Sequence, residues 1–243
     1  MKFIDVSVSS SHVGSQGDEF LRGEGDAWFS RNHSREEISP TRRLVGDWCK
    51  PFKDNLEKIL EIGAGSGLPL AYLCDVLNAT GEGIEPSQKA VNNWSSLRAN
   101  AVGGGSASLR VGVASELPYE DQTFDLVVFG FCLYLVDRSH LYRAVAEADR
   151  VLRDGGFLVI NDFDSTSPYM NEYSHKEGIF SYKNDYSNIF TSSGHYHLVS
   201  KHSHSHSANH FDANFDERVS TSLLYKQENT VYTFGRPSFS SGS

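Results

Sequence analysis

The residues of this chain whose types and spacing suit chemistry crowd into one stretch. LEIGAGSGL, residues 60–68, sets Gly63, Gly65 and Gly67 directly behind a carboxylate, Glu61. Glycines at that spacing let the backbone bend sharply and let a ligand touch the main chain, because no Cβ obstructs the approach. A dinucleotide fingerprint needs its third glycine at position 68, where this chain has Leu68, and seats a pyrophosphate on a helix amino terminus. Glu61 repels a pyrophosphate and suits a ligand carrying positive charge. A second carboxylate, Glu85, stands in TGEGIEPS (residues 80–87), in the position from which an acid can accept both hydroxyls of a ribose. A nucleoside bearing a cationic group satisfies both acids.

The elements that must hold these groups read as alternating strands and helices. Ser39-Pro40 offers an N-cap followed by proline at the first helical position, which predicts a helix through about Trp48. KILEI (58–62) is a buried strand running into the glycine turn, residues 68–77 a helix, 80–87 a short second strand, and 88–100 a second helix ending before the connector Gly103-Gly104-Gly105. Residues 109–113 and 124–129 give a third and a fourth strand. Ser139 is placed to cap a helix whose Leu141, Ala144, Val145, Ala148, Val151 and Leu152 recur at helical spacing, and 157–161 is a fifth strand. Strands separated by helices of about ten to fifteen residues imply right-handed crossovers and a parallel sheet with helices on both faces. Ligands in such sheets bind beyond the carboxyl ends of the strands, where the glycine turn lies.

Composition narrows the partners. The formal charge of −9 over 243 residues opposes phosphate backbones and anionic lipid surfaces, so a nucleic acid or a membrane is not the expected partner. The opening residues lack an apolar core of signal-peptide length and the longest apolar run, 126–136, is too short to span a bilayer, which predicts a soluble, cytoplasmic protein. Cys49, Cys74 and Cys132 are scattered in apolar sequence and read as buried thiols, neither a disulfide framework nor a metal site.

Four blocks stand in order: LEIGAGSG, GIEPS, ASELPYEDQTFDLVVFGF and ADRVLRDGGFLVI. From about residue 58 to residue 162 the chain resembles the class I S-adenosylmethionine-dependent methyltransferases of the small-molecule type related to the ubiquinone and menaquinone biosynthesis methylases. The resemblance implies a doubly wound, Rossmann-like α/β fold: a seven-stranded sheet, mostly parallel with an antiparallel seventh strand, and helices on both faces. It implies S-adenosyl-L-methionine as cofactor, with the methionine portion against Glu61, Gly63, Ala64 and Gly65, Gly67 also among the cofactor-binding residues, and the ribose on Glu85. It sets the adenine between Pro86 and Ala114-Ser115, and lines the methyl channel with Phe129, Gly130 and Phe131. Where the family commonly has an aspartate that takes the adenine amino group, this chain has Val113, so Ser115, Glu116, a carbonyl or water must serve. A nicotinamide-dependent oxidoreductase, which shares the sheet and the acidic ribose ligand, remains an alternative. So does a non-catalytic protein that keeps the pocket as a scaffold.

Outside the blocks, residues 195–206 and 217–227 alternate like the sixth and seventh strands. Alternation puts His202, His204 and His206 on one strand face, read as solvated; no carboxylate partners them in sequence, and no metal is expected. Residues 1–57 form an N-terminal lid and helical segment, 58–227 the methyltransferase domain with a substrate-side insertion at 162–194, and 228–243 a polar tail. In the segment 24–34, Trp28 is placed to cover the cofactor and Arg31 to pair with its carboxylate. The insertion carries Tyr169, Tyr173, Phe180, Tyr182, Tyr186 and Phe190 and is expected to build the site of a small-molecule acceptor, a hydroxylated or sugar-like compound methylated on O or N. If that acceptor needs a general base, His175, Asp162 and Tyr134 are the candidates, with His175 first because its pKa lies nearest neutrality. Nothing in the sequence fixes the oligomeric state.

Overall fold

The computed structural model describes residues 15–32, 38–100 and 107–228. Along the chain run α1 (Gln16–Glu19), a π-helical turn (Phe20–Glu24), α2 (Gly25–Asn32), α3 (Pro40–Cys49), β1 (Lys58–Ile62), α4 (Leu68–Leu77), β2 (Thr80–Glu85), α5 (Gln88–Asn100), β3 (Ala107–Val111) and β4 (Phe124–Gly130). Then follow α6 (Leu141–Val151), β5 (Leu152–Phe163), β6 (Tyr169–Glu172), β7 (Phe180–Lys183), α7 (Ser187–Thr191), β8 (Tyr196–Ser205) and β9 (Arg218–Lys226). Seven strands make one sheet in the order β3-β2-β1-β4-β5-β9-β8, and β9 runs antiparallel to both of its neighbours. The other ladders are parallel. The strand order reverses beside β1, so the turn after β1 opens into the crevice where such sheets take ligands.

Side-chain alternation divides the core into two faces. Ile59 of β1 packs with Leu70, Leu73, Cys74 and Leu77 of α4 and with Val45 and Cys49 of α3. Leu60 and Ile62 face the other way, toward Ala144, Ala148 and Val151 of α6 and Phe190 of α7. Each large apolar side chain buried in this way contributes about 1.5–3 kcal/mol. The ends of α3 and α4 are set locally. Ser39 Oγ accepts the Arg42 amide at the start of α3. Gly67 enters α4 at φ +79°, and a Cβ there would lie 2.7 Å from the Trp94 ring, so this glycine serves the packing of α5 on the turn.

Several expected boundaries move. The third strand lies at Ala107–Val111, two residues ahead of the expected one, and Val113 forms only an isolated bridge with Glu116. Ser139 does not cap α6: its hydroxyl binds Asp137 and the His140 ring, and Asp137 accepts the His140 amide at 3.1 Å. The insertion contains a hairpin, β6 with β7, and the short α7. The histidine row is not a solvated face. His202 is exposed, but His204 is buried with Nδ1 against the Ser205 carbonyl, and His206 lies past the end of β8. Among the described residues no group of His, Cys, Asp or Glu is arranged to hold a metal ion, and no helix is long and apolar enough to cross a membrane. The glycine connector 103–105, residues 33–34 of the expected lid and the tail from 229 lie outside the described residues.

Candidate active site

The glycine turn is fastened to β2 before any ligand is considered. Gly63 and Ala64 donate to the Ile84 carbonyl at 2.8 and 3.2 Å, and Gly65 donates to Glu85 Oε2 at 2.8 Å. Glu85 Oε1 accepts the Ser87 amide at 3.0 Å. Burial pushes the Glu85 carboxyl up to about 6, against the opposing pull of the Ser87 and Gly65 amides. Gly63 and Gly65 both have positive φ, for different reasons. A Cβ on Gly63 would meet the Cys132 Cβ at 2.7 Å, whereas nothing lies within 4 Å of one on Gly65, because that direction opens into a cavity.

Two cavities meet over this turn. The first is lined by Glu85, Pro86, Ala114, Ser115 and Phe131, the second by Arg42, Glu61, Ala64, Asn161 and Thr221. Trp28, Gly63, Gly65 and Gly130 line both. Trp28 sits there because residues 15–32 are tied down at several points. Gln16 Nε2 donates to the Leu135 and Phe180 carbonyls at 2.8 and 3.0 Å, and Asp26 accepts the Ser87 hydroxyl and the Lys89 amide.

In the second cavity a guanidinium faces the first acid. Arg42 Nη2 pairs with Glu61 Oε1, and both side chains are almost wholly buried. Burial raises the Glu61 carboxyl, opposed by Arg42. Arg42 Nη1 and Glu61 Oε2 have no hydrogen-bond partner. Buried polar groups in that state cost free energy unless something satisfies them. Here one unfilled cationic donor stands beside one unfilled anionic acceptor, which suits the carboxylate and ammonium of an amino acid. Sequence reasoning missed Arg42. The available signal was its place on the buried stripe of α3 with Val45, Gly46 and Cys49, where a charge needs a partner.

Other predicted site residues fall elsewhere. Arg31 lines neither cavity; its guanidinium is held by Glu24 at 2.6 Å and by the Tyr173 hydroxyl at 3.1 Å, so the arginine beside the turn is Arg42. Phe129 points into the core and packs on Phe190. Gly67 stands back against Trp94. His175 is exposed, its ring against Tyr173. Tyr134 is buried, and burial raises its phenol. Asp162 is buried beneath the turn that follows β4, accepting amides from Leu133 at 2.8 Å, Tyr134 at 3.3 Å and Phe163 at 2.8 Å. Burial pushes it up to about 7 despite those amides. Of the described residues lining the two cavities, none is Tyr134, Asp162 or His175. The turn that Asp162 holds carries Phe131 at φ +63°, an uncommon conformation for a bulky residue and one that clusters at functional sites.

Known proteins match this arrangement. The methyltransferase domain family matches residues 60–160. A protein of Encephalitozoon cuniculi that carries a methyltransferase name is 30% identical over 155 residues, covering 62% of this chain and 67% of that protein. The 27-O-demethylrifamycin SV methyltransferase of Amycolatopsis mediterranei is 32% identical over 139 residues, covering 56% of this chain and 49% of that enzyme. Among solved structures, the 1,6-didemethyltoxoflavin-N1-methyltransferase of Burkholderia thailandensis, with bound 1,6-didemethyltoxoflavin and S-adenosylhomocysteine, shares the fold. Its TM-score is 0.68 at 14% identity, over 93% of this chain and 99% of that one. The chain belongs to the class I S-adenosylmethionine-dependent methyltransferases, a family whose methyl donor is S-adenosyl-L-methionine. That membership replaces the nicotinamide-dependent alternative. The chain spans about half the length of several curated relatives it matches, from 44% to 55%.

Proposed function

We propose that this chain methylates a hydroxyl group of a small-molecule acceptor. The observation that carries the cofactor half of this reading is the unfilled pair Arg42 Nη1 and Glu61 Oε2, beside a glycine whose missing side chain faces open space. Arg42 takes the methionine carboxylate and Glu61 its ammonium. Gly63, Ala64 and Gly65 present the main chain, Glu85 accepts the ribose hydroxyls, and Pro86 with Ala114 and Ser115 flanks the adenine. Bound there, the cofactor supplies a sulfonium methyl group for in-line transfer. The protein's own contribution is largely positioning, which can be worth about 7–11 kcal/mol in favourable cases. Asp162 serves it by holding the turn that carries Phe131, and Trp28 by roofing both cavities.

Relatives support an oxygen acceptor: one is named for O-demethylrifamycin and a second, from Penicillium expansum, is named an O-methyltransferase. The larger polar wall, with Asn32, Ser39, Thr41, Asn161 and Thr221, suits a compound with several hydroxyls. The test is calorimetry with S-adenosylhomocysteine together with turnover on a panel of hydroxylated and amine-bearing metabolites. Binding with transfer to hydroxyls supports the reading. Transfer to amines alone overturns the acceptor assignment, and binding with no transfer to any acceptor favours a scaffold. Trp28→Ala, which opens the shared roof, is expected to weaken S-adenosylhomocysteine roughly tenfold, as removal of a buried aromatic contact does.

Glu85 makes binding depend on pH. Its carboxyl is raised to about 6 in the free protein, and only the ionised form accepts both ribose hydroxyls. Affinity for S-adenosylhomocysteine is therefore full above pH 6 and falls as the pH drops through it, about tenfold per unit at the low end. Glu85→Gln is expected to weaken binding by about 1–3 kcal/mol, roughly 5- to 150-fold, and to flatten this profile. An unchanged profile in the variant would show that the ribose lies elsewhere.

A further inference from the structure

The second cavity extends past the groups that the cofactor engages. Gly130 of β4, Asn161 of β5 and Thr221 of β9 stand side by side at matching register on three neighbouring strands, and all three line this cavity. Thr221 is fully buried, and its hydroxyl donates to Asn161 Oδ1 at 3.2 Å. That bond fixes which way the amide lies. Asn161 Nδ2 is left as a donor with no partner among the described residues, and the Thr221 oxygen keeps a lone pair. Beside them Val45, Val128 and Val159, all buried, make an apolar floor.

Gly130 joins this corner to the glycine turn. A Cβ on it would lie 2.7 Å from both Glu61 Oε1 and the Gly63 carbonyl, so β4 ends in bare main chain where the two cavities meet. Asn161 also holds the next residue of that strand end, since its carbonyl accepts the Phe131 amide at 2.9 Å. Neighbouring strands lie about 4.8 Å apart, so a group held by Asn161 and a group placed over Gly130 are separated by no more than the width of one small ring.

We infer that Asn161, oriented by Thr221, selects the acceptor by holding a hydroxyl that is not itself methylated, so that the acceptor is a neutral ring compound bearing two hydroxyls; this rests on the O-methylation reading above. The pair offers one donor and one acceptor. A hydroxyl uses both at once, its oxygen accepting from Nδ2 and its proton donated to the Thr221 oxygen, whereas a carbonyl leaves the Thr221 lone pair unfilled and an ammonium leaves Nδ2 unfilled. The charged side chains lining this cavity are Arg42 and Glu61, which the methionine end of the cofactor engages, so a charged acceptor gains nothing here. The valine floor takes the ring carbons. At the reacting hydroxyl the O–H bond breaks and its proton passes to solvent, an oxygen lone pair forms the O–CH3 bond, and the electrons of the C–S bond stay with sulfur. The held hydroxyl keeps its proton.

Cyclohexane-1,2-diol and cyclohexanol, which lacks the second hydroxyl, test the assignment with methyl-labelled S-adenosylmethionine. The unaltered protein is expected to methylate the diol with a kcat/KM roughly 10- to 100-fold above that of cyclohexanol, the loss that follows when a donor in the cavity is left unpaired. Asn161→Ala should bring the two alcohols to parity and leave S-adenosylhomocysteine affinity unchanged. Thr221 acts only through the amide, so Thr221→Ser should keep the preference for the diol, and Thr221→Val, which keeps the volume and loses the hydroxyl, should lose it. A packing role predicts the reverse order, because the serine leaves a gap that the valine fills. Equal turnover of the two alcohols by the unaltered protein overturns the inference, as does a preference that survives in Asn161→Ala. If S-adenosylhomocysteine affinity falls in Asn161→Ala as steeply as the preference, Asn161 serves the cofactor and the inference is again overturned. If the unaltered protein binds S-adenosylhomocysteine but methylates neither alcohol, the ring diol is wrong and the cofactor reading stands. If it does not bind S-adenosylhomocysteine, the function proposed above fails first and this inference with it.

Discussion

Gly65→Asn leaves the protein folded and weakens S-adenosylhomocysteine on the order of 100-fold. Asparagine tolerates the left-handed conformation that Gly65 holds at φ +54°, and its amide can still donate to Glu85. Nothing in the protein obstructs the new side chain, since no atom lies within 4 Å of its Cβ. It enters the space where both cavities meet, so the cost falls on the ligand. The neighbouring glycines predict the opposite order of losses. Gly63→Ala drives a Cβ to within 2.7 Å of Cys132, and Gly67→Ala to within 2.7 Å of Trp94, so both lose thermal stability before binding is considered. Melting curves and calorimetry on the three variants separate the two behaviours. Full affinity in a folded Gly65→Asn protein would remove the ligand from this turn.

The contrast shows what the sequence carries and what it does not. β1, α4 and α5 begin and end where expected because their punctuation is local: a glycine turn, a proline in a first helical turn, a change of period from two to 3.6. Glu61, Gly65 and Glu85 were legible for the same reason, since each sits at a strand end or turn whose place in the sheet follows from alternation. Arg42 was not. Its partner is 19 residues away on β1, and only the packing of α3 beside that strand brings them together. Arg31 is misplaced for the converse reason, because Glu24 and Tyr173 hold its guanidinium in the folded chain. Phe129 could have been assigned to the core by strict alternation on β4, whose Gly130 faces the cavities instead.

Arg42 carries the prediction with the largest expected effect. Arg42→Met leaves the Glu61 carboxylate buried with no counter-charge, a change that costs about 3–5 kcal/mol and should lower the thermal midpoint by roughly 6–20 °C. The deficit depends on pH. Burial already raises the Glu61 carboxyl, and the arginine is what opposes it. Without Arg42 the folded-state value rises further, so the folded form is least penalised below the unfolded value near 4.5, where the group is protonated in both states. The penalty grows as the pH rises toward the folded-state value and is largest above it. Arg42→Met/Glu61→Met removes both charges from the same buried site, so stability returns toward that of the unaltered protein and its pH dependence disappears. Binding does not return with it, because the methionine end of the cofactor has then lost both the donor for its carboxylate and the acceptor for its ammonium. Stability and affinity therefore part company in the double variant. A double variant that melts normally and binds S-adenosylhomocysteine as tightly as the unaltered chain would make the pair a strut between α3 and β1, and would leave the cofactor's amino-acid end to other residues of the second cavity.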